Sequence, residues 1–338
     1  MNLLRFTKKL LSMPSPSGKE KEIADFLSAF FEYHDMPAEQ QKINDNRYNL
    51  WVFPAAKQPV MLCTHMDTVT PFIPPSEDQR YLYGRGACDA KGIMASMIQA
   101  ARELKAEGVN GFGLLFVVGE EADSIGAKTA AAAGRSSRYI IVGEPTGNRM
   151  GKSHFGYLAI KLTAKGKAAH SAFPDLGDSA VEKILDAVHR LRSLPSLQAG
   201  SRNGGLMNVA RIKGGSAPNV IPDHAECIIT FRTHIPTRQL LNKIRTVLPQ
   251  TIHLKILNQA EPQTLYTLPS FDQTVLPYGT DIPYLKPFGH PLLFGPGDGE
   301  DAHTDHEKIS KHELLEAVRH YKSIVKQLLM EEGGDEPQ

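Results

Sequence analysis

The chain of 338 residues is 41% hydrophobic and 22% charged, with a formal net charge of +1, an ordinary soluble composition on a length that favours two domains over one. Such a balance provides no broad basic field for nucleic acid or an anionic membrane, and no apolar run approaches the ~18 residues of a membrane span. Cys63, Cys88 and Cys227 show no CxxC spacing, which indicates neither a disulfide framework nor a thiolate zinc site, fits a reducing cytoplasm, and leaves the thiols as small buried hydrophobes.

Along the chain, MNLLRFTKKLLSM is interrupted by Arg5, Lys8 and Lys9, so it predicts an amphipathic helix rather than a signal region. Ser17 and Glu20 have capping-box spacing ahead of a packing helix through Ile23, Phe26, Leu27, Phe30 and Phe31. Strands are predicted around Tyr48 to Phe53 and into His65, followed by a helix from about Gly92 through Leu104 that closes near Gly108. Strand, helix, strand order then repeats to Glu144. The pattern predicts an α/β fold with a mostly parallel sheet flanked by helices.

After Glu144 the texture changes. GYLAIKLTAKG alternates like a strand exposed on one face, Ala180 to Leu194 reads as a helix, and AECIITFRTHI and IHLKIL read as further strands. A smaller α+β domain inserted over 153–265 is the economical interpretation, with 1–152 and 266–338 forming the catalytic domain. Lys311 to Met330 is predicted as a final amphipathic helix, and EEGGDEPQ as a disordered end.

Three apolar runs end on metal-binding residue types: VMLCTH at His65, FGLLFVVGEE at Glu120 and Glu121, and YIIVGE at Glu144. In a mostly parallel sheet, residues just past the carboxyl ends of the strands line one crevice and converge there from distant parts of the chain. Asp89, within YGRGACDAKG, adds a carboxylate. Histidine with carboxylates suits zinc or a similar divalent ion. A dinuclear set is available: His65 and Glu144 on one ion, Glu121 and His303 on the other, Asp89 bridging, and Asp67 hydrogen-bonding the second nitrogen of His65. Glu120 then remains as general base; the roles of the two glutamates are exchangeable, with the second favoured as ligand because neighbours at a strand end point in different directions.

HMDTV, YGRGACDAKG, GEEADSIGA, VGEPTG, GKAAHSAFP, APNVIPDHAE and GPGDGEDAH, in this order and across nearly the whole chain, resemble the successive motifs of the zinc-dependent aminoacylase, acetylornithine deacetylase and carboxypeptidase G family. The resemblance implies a co-catalytic dinuclear zinc hydrolase of amide bonds, with two Zn2+ per subunit and Co2+ or Mn2+ as substitutes. Its ligand positions fall on His65, Asp89, Glu121, Glu144 and His303, and its general base on Glu120. It further implies a cis peptide at Asp89-Ala90, a homodimer formed through an inserted lid, His170 stabilising the oxyanion in the partner subunit's site, and Asn219 and Arg232 binding substrate oxygens. The departure is Asp305-His306-Glu307, where the family usually has Asp-Glu.

The mechanism expected on these grounds has Glu120 taking the proton of the attacking water and giving it to the leaving amine. An N-acyl amino acid of the ornithine, citrulline or lysine type is the expected substrate, with carboxypeptidase or dipeptidase action on short peptides as the alternative. A metal-binding scaffold without catalysis would have no need of Glu120. A nucleotide-binding enzyme using YGRGACDAKG fails for want of the strand, GxGxxG and acidic-residue context.

Overall fold

The computed structural model describes residues 2–195 and 205–333. The chain divides into two compact units, one of residues 1–152, 265–275 and 280–338, the other of residues 153–264 and 276–279.

The first unit is an α/β fold. Its sheet runs in the order Ala38–Asn44, Arg47–Val52, Phe112–Val117, Lys57–His65, Ser136–Val142 and His290–Leu293. The last four of these are parallel to their neighbours, while the first two join antiparallel at one side. Every side chain of Phe112–Val117 is buried, as expected of a strand covered on both faces. The helix Lys91–Ala106 lies among the core elements and is buried around most of its surface, with Ser96 Oγ donating to the Leu314 carbonyl of the helix Lys311–Gly333 at 3.2 Å. An amphipathic helix does open the chain, over Leu3–Leu11.

Three sequence expectations are corrected here. The helix Lys21–Tyr33 carries no capping box: Glu20 occupies the cap position and makes no side-chain cap bond. Its carboxylate instead grips Arg47 through two bonds of 2.7 and 2.9 Å, while Ser17 turns to Asp67. Glu120, Glu121 and Glu144 do not terminate their strands, which end at Val117 and Val142; they lie on the turns that follow. The end segment EEGGDEPQ begins in helix, because Lys311–Gly333 includes its first three residues; residues 334–338 lie outside the described residues.

The second unit is an antiparallel sheet in the order Leu206–Gly214, His224–Thr233, Gly156–Lys165 and Ile252–Ala260. Burial alternates strictly along His224–Thr233, the pattern of a sheet with one packed face. Ala225, Cys227, Ile229 and Phe231 on that strand join Leu158, Ile160 and Leu162 in a core closed by Ile184 and Leu191 of the helix Ala180–Arg192 and by Leu240 and Ile244 of the helix Thr237–Val247. Among the described residues no helix is long and apolar enough to cross a membrane.

Candidate active site

His65 is the last residue of its strand and only 1% exposed. Its Nδ1 lies 2.9 Å from the Asp67 carbonyl oxygen. A carbonyl only accepts, so Nδ1 carries a hydrogen, and Nε2 faces Asp89 Oδ1 at 2.9 Å. The Asp67 carboxylate stands farther from Nδ1, at 3.6 Å. That carboxylate accepts instead from the amides of Gly119 and Glu120 on Oδ1, at 2.9 and 3.1 Å, and of Glu121 on Oδ2, at 3.2 Å. Asp67 therefore holds His65 by its backbone and the Glu120-Glu121 turn by its side chain. Burial opposes its charge, but His65, Ser17 and the Glu121 amide hold its pKa below the ordinary carboxylate value.

Asp89 sits just ahead of the helix Lys91–Ala106, and the Asp89-Ala90 peptide is cis. Glu307 Oε1 accepts from the backbone amides of Cys88 and Asp89 at 3.3 and 3.2 Å, and Glu307 Oε2 is paired with Arg85 at 2.7 Å. All of this is buried. Asp89 Oδ2 lies 3.2 Å from His303 Nε2, which is also 2.8 Å from Glu121 Oε1. His303 has a φ of +65, a conformation unusual for a residue with a side chain and one that concentrates at functional sites. It is 49% exposed, unlike His65. Glu144 follows Gly143, whose amide donates to the Cys63 carbonyl at 2.7 Å and so fastens the turn to the neighbouring parallel strand.

The outcome is two groups of possible ligands. One atom each from His65, Asp89 and Glu144 lies within 4.8 Å of the others, and the same holds for Asp89, Glu121 and His303. Asp89 belongs to both. Burial, then Asp281 and neighbouring carboxylates, push the Glu120 pKa well above its ordinary value although His65 draws it down; Glu144 is pushed up by burial and by Glu120 and Asp89. The two histidines respond in the opposite sense. Asp89 and Glu121 raise His303 to about 10, and the Asp67 and Asp89 carboxylates raise His65 despite its burial. Two imidazoles amid four crowded carboxylates form a donor set that suits divalent ions of the zinc type, which would neutralise the excess negative charge.

Glu120 belongs to neither group. His306 is likewise outside both and exposed. Cys63 and Cys88 are buried beside the ligands, and burial pushes both thiols well up. In the second unit, Ser171 donates its amide to the Asn219 carbonyl at 3.0 Å and His170 bridges to Val220, so His170 and Asn219 share one pair of exposed loops. Arg232 lies near the end of its strand, its guanidinium 4.9 Å from the Tyr157 ring centre. Four residues escaped the reading of the sequence: Arg85 and Glu307 behind Asp89, Ser17 behind Asp67, and Asp281. Asp281 is 2% exposed, and burial raises its pKa to about 6 although Ser124 and His65 draw it down. Only the departure at Asp305-His306-Glu307 pointed to any of them.

A profile of peptidase family M20/M25/M40 matches residues 61–327. A peptidase M20 domain-containing protein of Schizosaccharomyces pombe is 34% identical over 96% of this chain and 84% of its own. A probable carboxypeptidase of Emericella nidulans is 32% identical over 95% of this chain and 88% of its own. A tripeptidase from Staphylococcus aureus shares the fold with a TM-score of 0.82 at 20% identity, covering 96% of this chain and 97% of that one. With a family profile spanning most of the sequence and relatives of this identity along nearly its full length, the chain belongs to peptidase family M20/M25/M40 and is a metal-dependent hydrolase of the peptidase or amidohydrolase type.

Proposed function

We propose that this enzyme hydrolyses the amide bond of short peptides as a dinuclear metallocarboxypeptidase or dipeptidase. The observation that carries the reading is the pair of ligand groups sharing Asp89, with Glu120 beside them and outside both. His65 and Glu144 would hold one Zn2+, Glu121 and His303 the other, with Asp89 between, and Co2+ or Mn2+ as substitutes. Bound there, the ions supply Lewis acidity at the scissile carbonyl and lower the pKa of the attacking water.

The protein's own part is proton handling and orientation. Glu120 accepts the proton released as water oxygen bonds to the carbonyl carbon, then delivers it to the amine nitrogen as the C–N bond breaks. Asp67 keeps the turn bearing Glu120 in register by accepting from three consecutive amides. Arg232 is assigned to a substrate carboxylate, for which a guanidinium is the best-matched side chain, and Asn219 to a substrate oxygen. By the family resemblance His170 serves the oxyanion in the partner subunit of a homodimer, and the inserted unit acts as lid and dimerisation domain.

The carboxypeptidase name of the Emericella nidulans relative favours peptides, whereas the motif pairing of VGEPTG with GPGDGEDAH favours N-acyl amino acids such as N-acetylornithine. The deciding experiment is zinc-reconstituted hydrolysis of Gly-Leu, Ala-Phe and a tripeptide against N-acetylornithine, N-acetylcitrulline, N-acetyl-lysine and N-acetylmethionine. Preferential release of a C-terminal residue supports the proposal. Preferential deacetylation overturns it in favour of an amino-acid deacylase, and silence of the two-metal protein across the panel overturns both. Mixing inactive His170→Ala and Glu120→Ala subunits should restore part of the activity; no restoration removes His170 from a shared site.

A further inference from the structure

We infer that the N-terminal segment Ser15–Glu20 is a positioning element for the turn that carries Glu120 and Glu121, acting through Asp67 on one side and Arg47 on the other. The inference rests on the catalytic role proposed for Glu120. Its starting point is the Ser17 and Glu20 pair, whose capping-box spacing serves no cap in the structure.

The segment is fastened along the chain just past His65. Ser15 Oγ donates to the Met66 carbonyl at 2.8 Å, the Thr68 amide donates to the Ser15 carbonyl at 2.9 Å, and the Ser17 amide donates to the Thr68 carbonyl at 3.3 Å. Ser17 Oγ then donates to Asp67 Oδ2 at 2.6 Å. Asp67 is fully buried, so Ser17 and the amides of Gly119, Glu120 and Glu121 stand in for solvent around it. Oδ2 is shared between Ser17 and Glu121 alone in this set, and the hydroxyl therefore decides how the carboxylate is rotated beneath the turn. A misrotated acceptor releases or shifts the amides it holds, and with them the Glu120 side chain.

The second route begins at Glu20, which is fully buried. Its carboxylate accepts from the Gly18 amide at 2.9 Å and grips the Arg47 fork through Nε and Nη2 at 2.9 and 2.7 Å. That same Nη2 lies 2.7 Å from the point a Cβ on residue 119 would occupy. Residue 119 is glycine with φ +78, and it begins the turn whose carbonyl collects the amides of Ala122, Asp123 and Ser124. Glu20 thus fixes the wall against which the turn closes. A segment far from the ligands in sequence reaches the general base by two short paths, one through its hydroxyl and one through its carboxylate.

A mere structural staple between the N-terminus and the sheet would lower stability without changing the chemistry selectively. The test compares wild type, Ser17→Ala, Ser17→Thr and Glu20→Gln, each loaded with zinc, on whichever panel substrate wild type turns over fastest. Zinc content, kcat, KM, Tm and hydrogen–deuterium exchange of residues 117–124 are recorded, with helix 180–192 as the internal control. The expected result for Ser17→Ala is a kcat about tenfold lower or more, the scale on which small misplacements act, with KM and zinc content within about twofold. Faster exchange confined to 117–124 accompanies it, and Ser17→Thr recovers most of kcat. Wild-type kcat in Ser17→Ala, or a loss that follows Tm and zinc content alone, overturns the inference. Should Ser17→Ala not fold, Glu20→Gln carries the same comparison, and unchanged exchange and kcat in that variant overturn the inference. If wild type is silent on every substrate, the catalytic reading has failed, and the exchange measurement still decides whether the segment positions the turn.

Discussion

The first unit keeps its candidate chemistry in side chains that folding itself must place, whereas the second displays its candidates on surfaces that its fold does not require. His65, Asp89 and Glu144 are buried, and each lies on a strand end or turn tied by backbone hydrogen bonds. His170 and Asn219 are exposed on paired loops, and Arg232 is half-buried above a packed sheet that closes without it. Chemistry that needs exact placement is built where packing and amide bonds enforce it. The residues proposed to meet substrate in the second unit lie outside its packed core.

The largest expected effect sharpens that contrast. Glu120→Ala should lower kcat at least ~100-fold while zinc content and Tm stay near wild type, measured by turnover and metal analysis. Next, Glu307→Gln should weaken zinc affinity by about 10–100-fold, the usual scale for a group that orients a ligand, because it loosens the Cys88 and Asp89 amides and leaves the buried Arg85 charge without its partner. Competition with a chelator reads it; unchanged affinity would show that Asp89 needs no support. Arg232→Ala is expected to raise KM about tenfold with kcat little altered, as when a charge-assisted hydrogen bond stabilises the bound ground state and the transition state equally and its removal weakens both alike. A fall in kcat with constant KM would break the division between the two units.

The smallest effect concerns Asp281. Its pKa in the folded protein is about 6 against an ordinary 3.8, so the folded state favours the protonated form. The unfolded chain loses that proton first, and the carboxylate becomes a growing liability to stability as pH rises from about 4 to about 6. Asp281→Asn in metal-free protein should therefore raise Tm by about 2–4 °C at pH 7.5 and leave it nearly unchanged at pH 4. An equal shift at both pH values would show that charge is not the cause.

The α/β pattern and the convergence of His65, Glu121 and Glu144 were legible because apolar runs ending near His or Glu mark the carboxyl edge of a parallel sheet, whereas Asp89 and His303, which cluster with them, were pointed to by glycine-bounded motifs. The supporting residues were not legible. Glu307 reaches Asp89 across more than two hundred residues, and Ser17 reaches Asp67 across fifty; no local periodicity encodes such a contact. Ser17 and Glu20 carried an actual false signal, since their spacing matches a helix cap although both side chains are engaged by tertiary partners. The placement of Glu120 and Glu121 on a turn rather than on the strand end also lay beyond alternation, because the turn is set by Gly119 and by Asp67 accepting its amides.

The difference in solvent access between His65 and His303 gives the cluster a direction in time. Water and chelators meet the imidazole of His303 directly, while His65 is walled in by the sheet and by Asp67. Ions held as proposed would therefore exchange first from the His303 side, and a chelator would draw the protein through a form with one ion, which His65, Asp89 and Glu144 would hold. Two dissociation phases would follow, the slower one measuring how often the fold opens around His65.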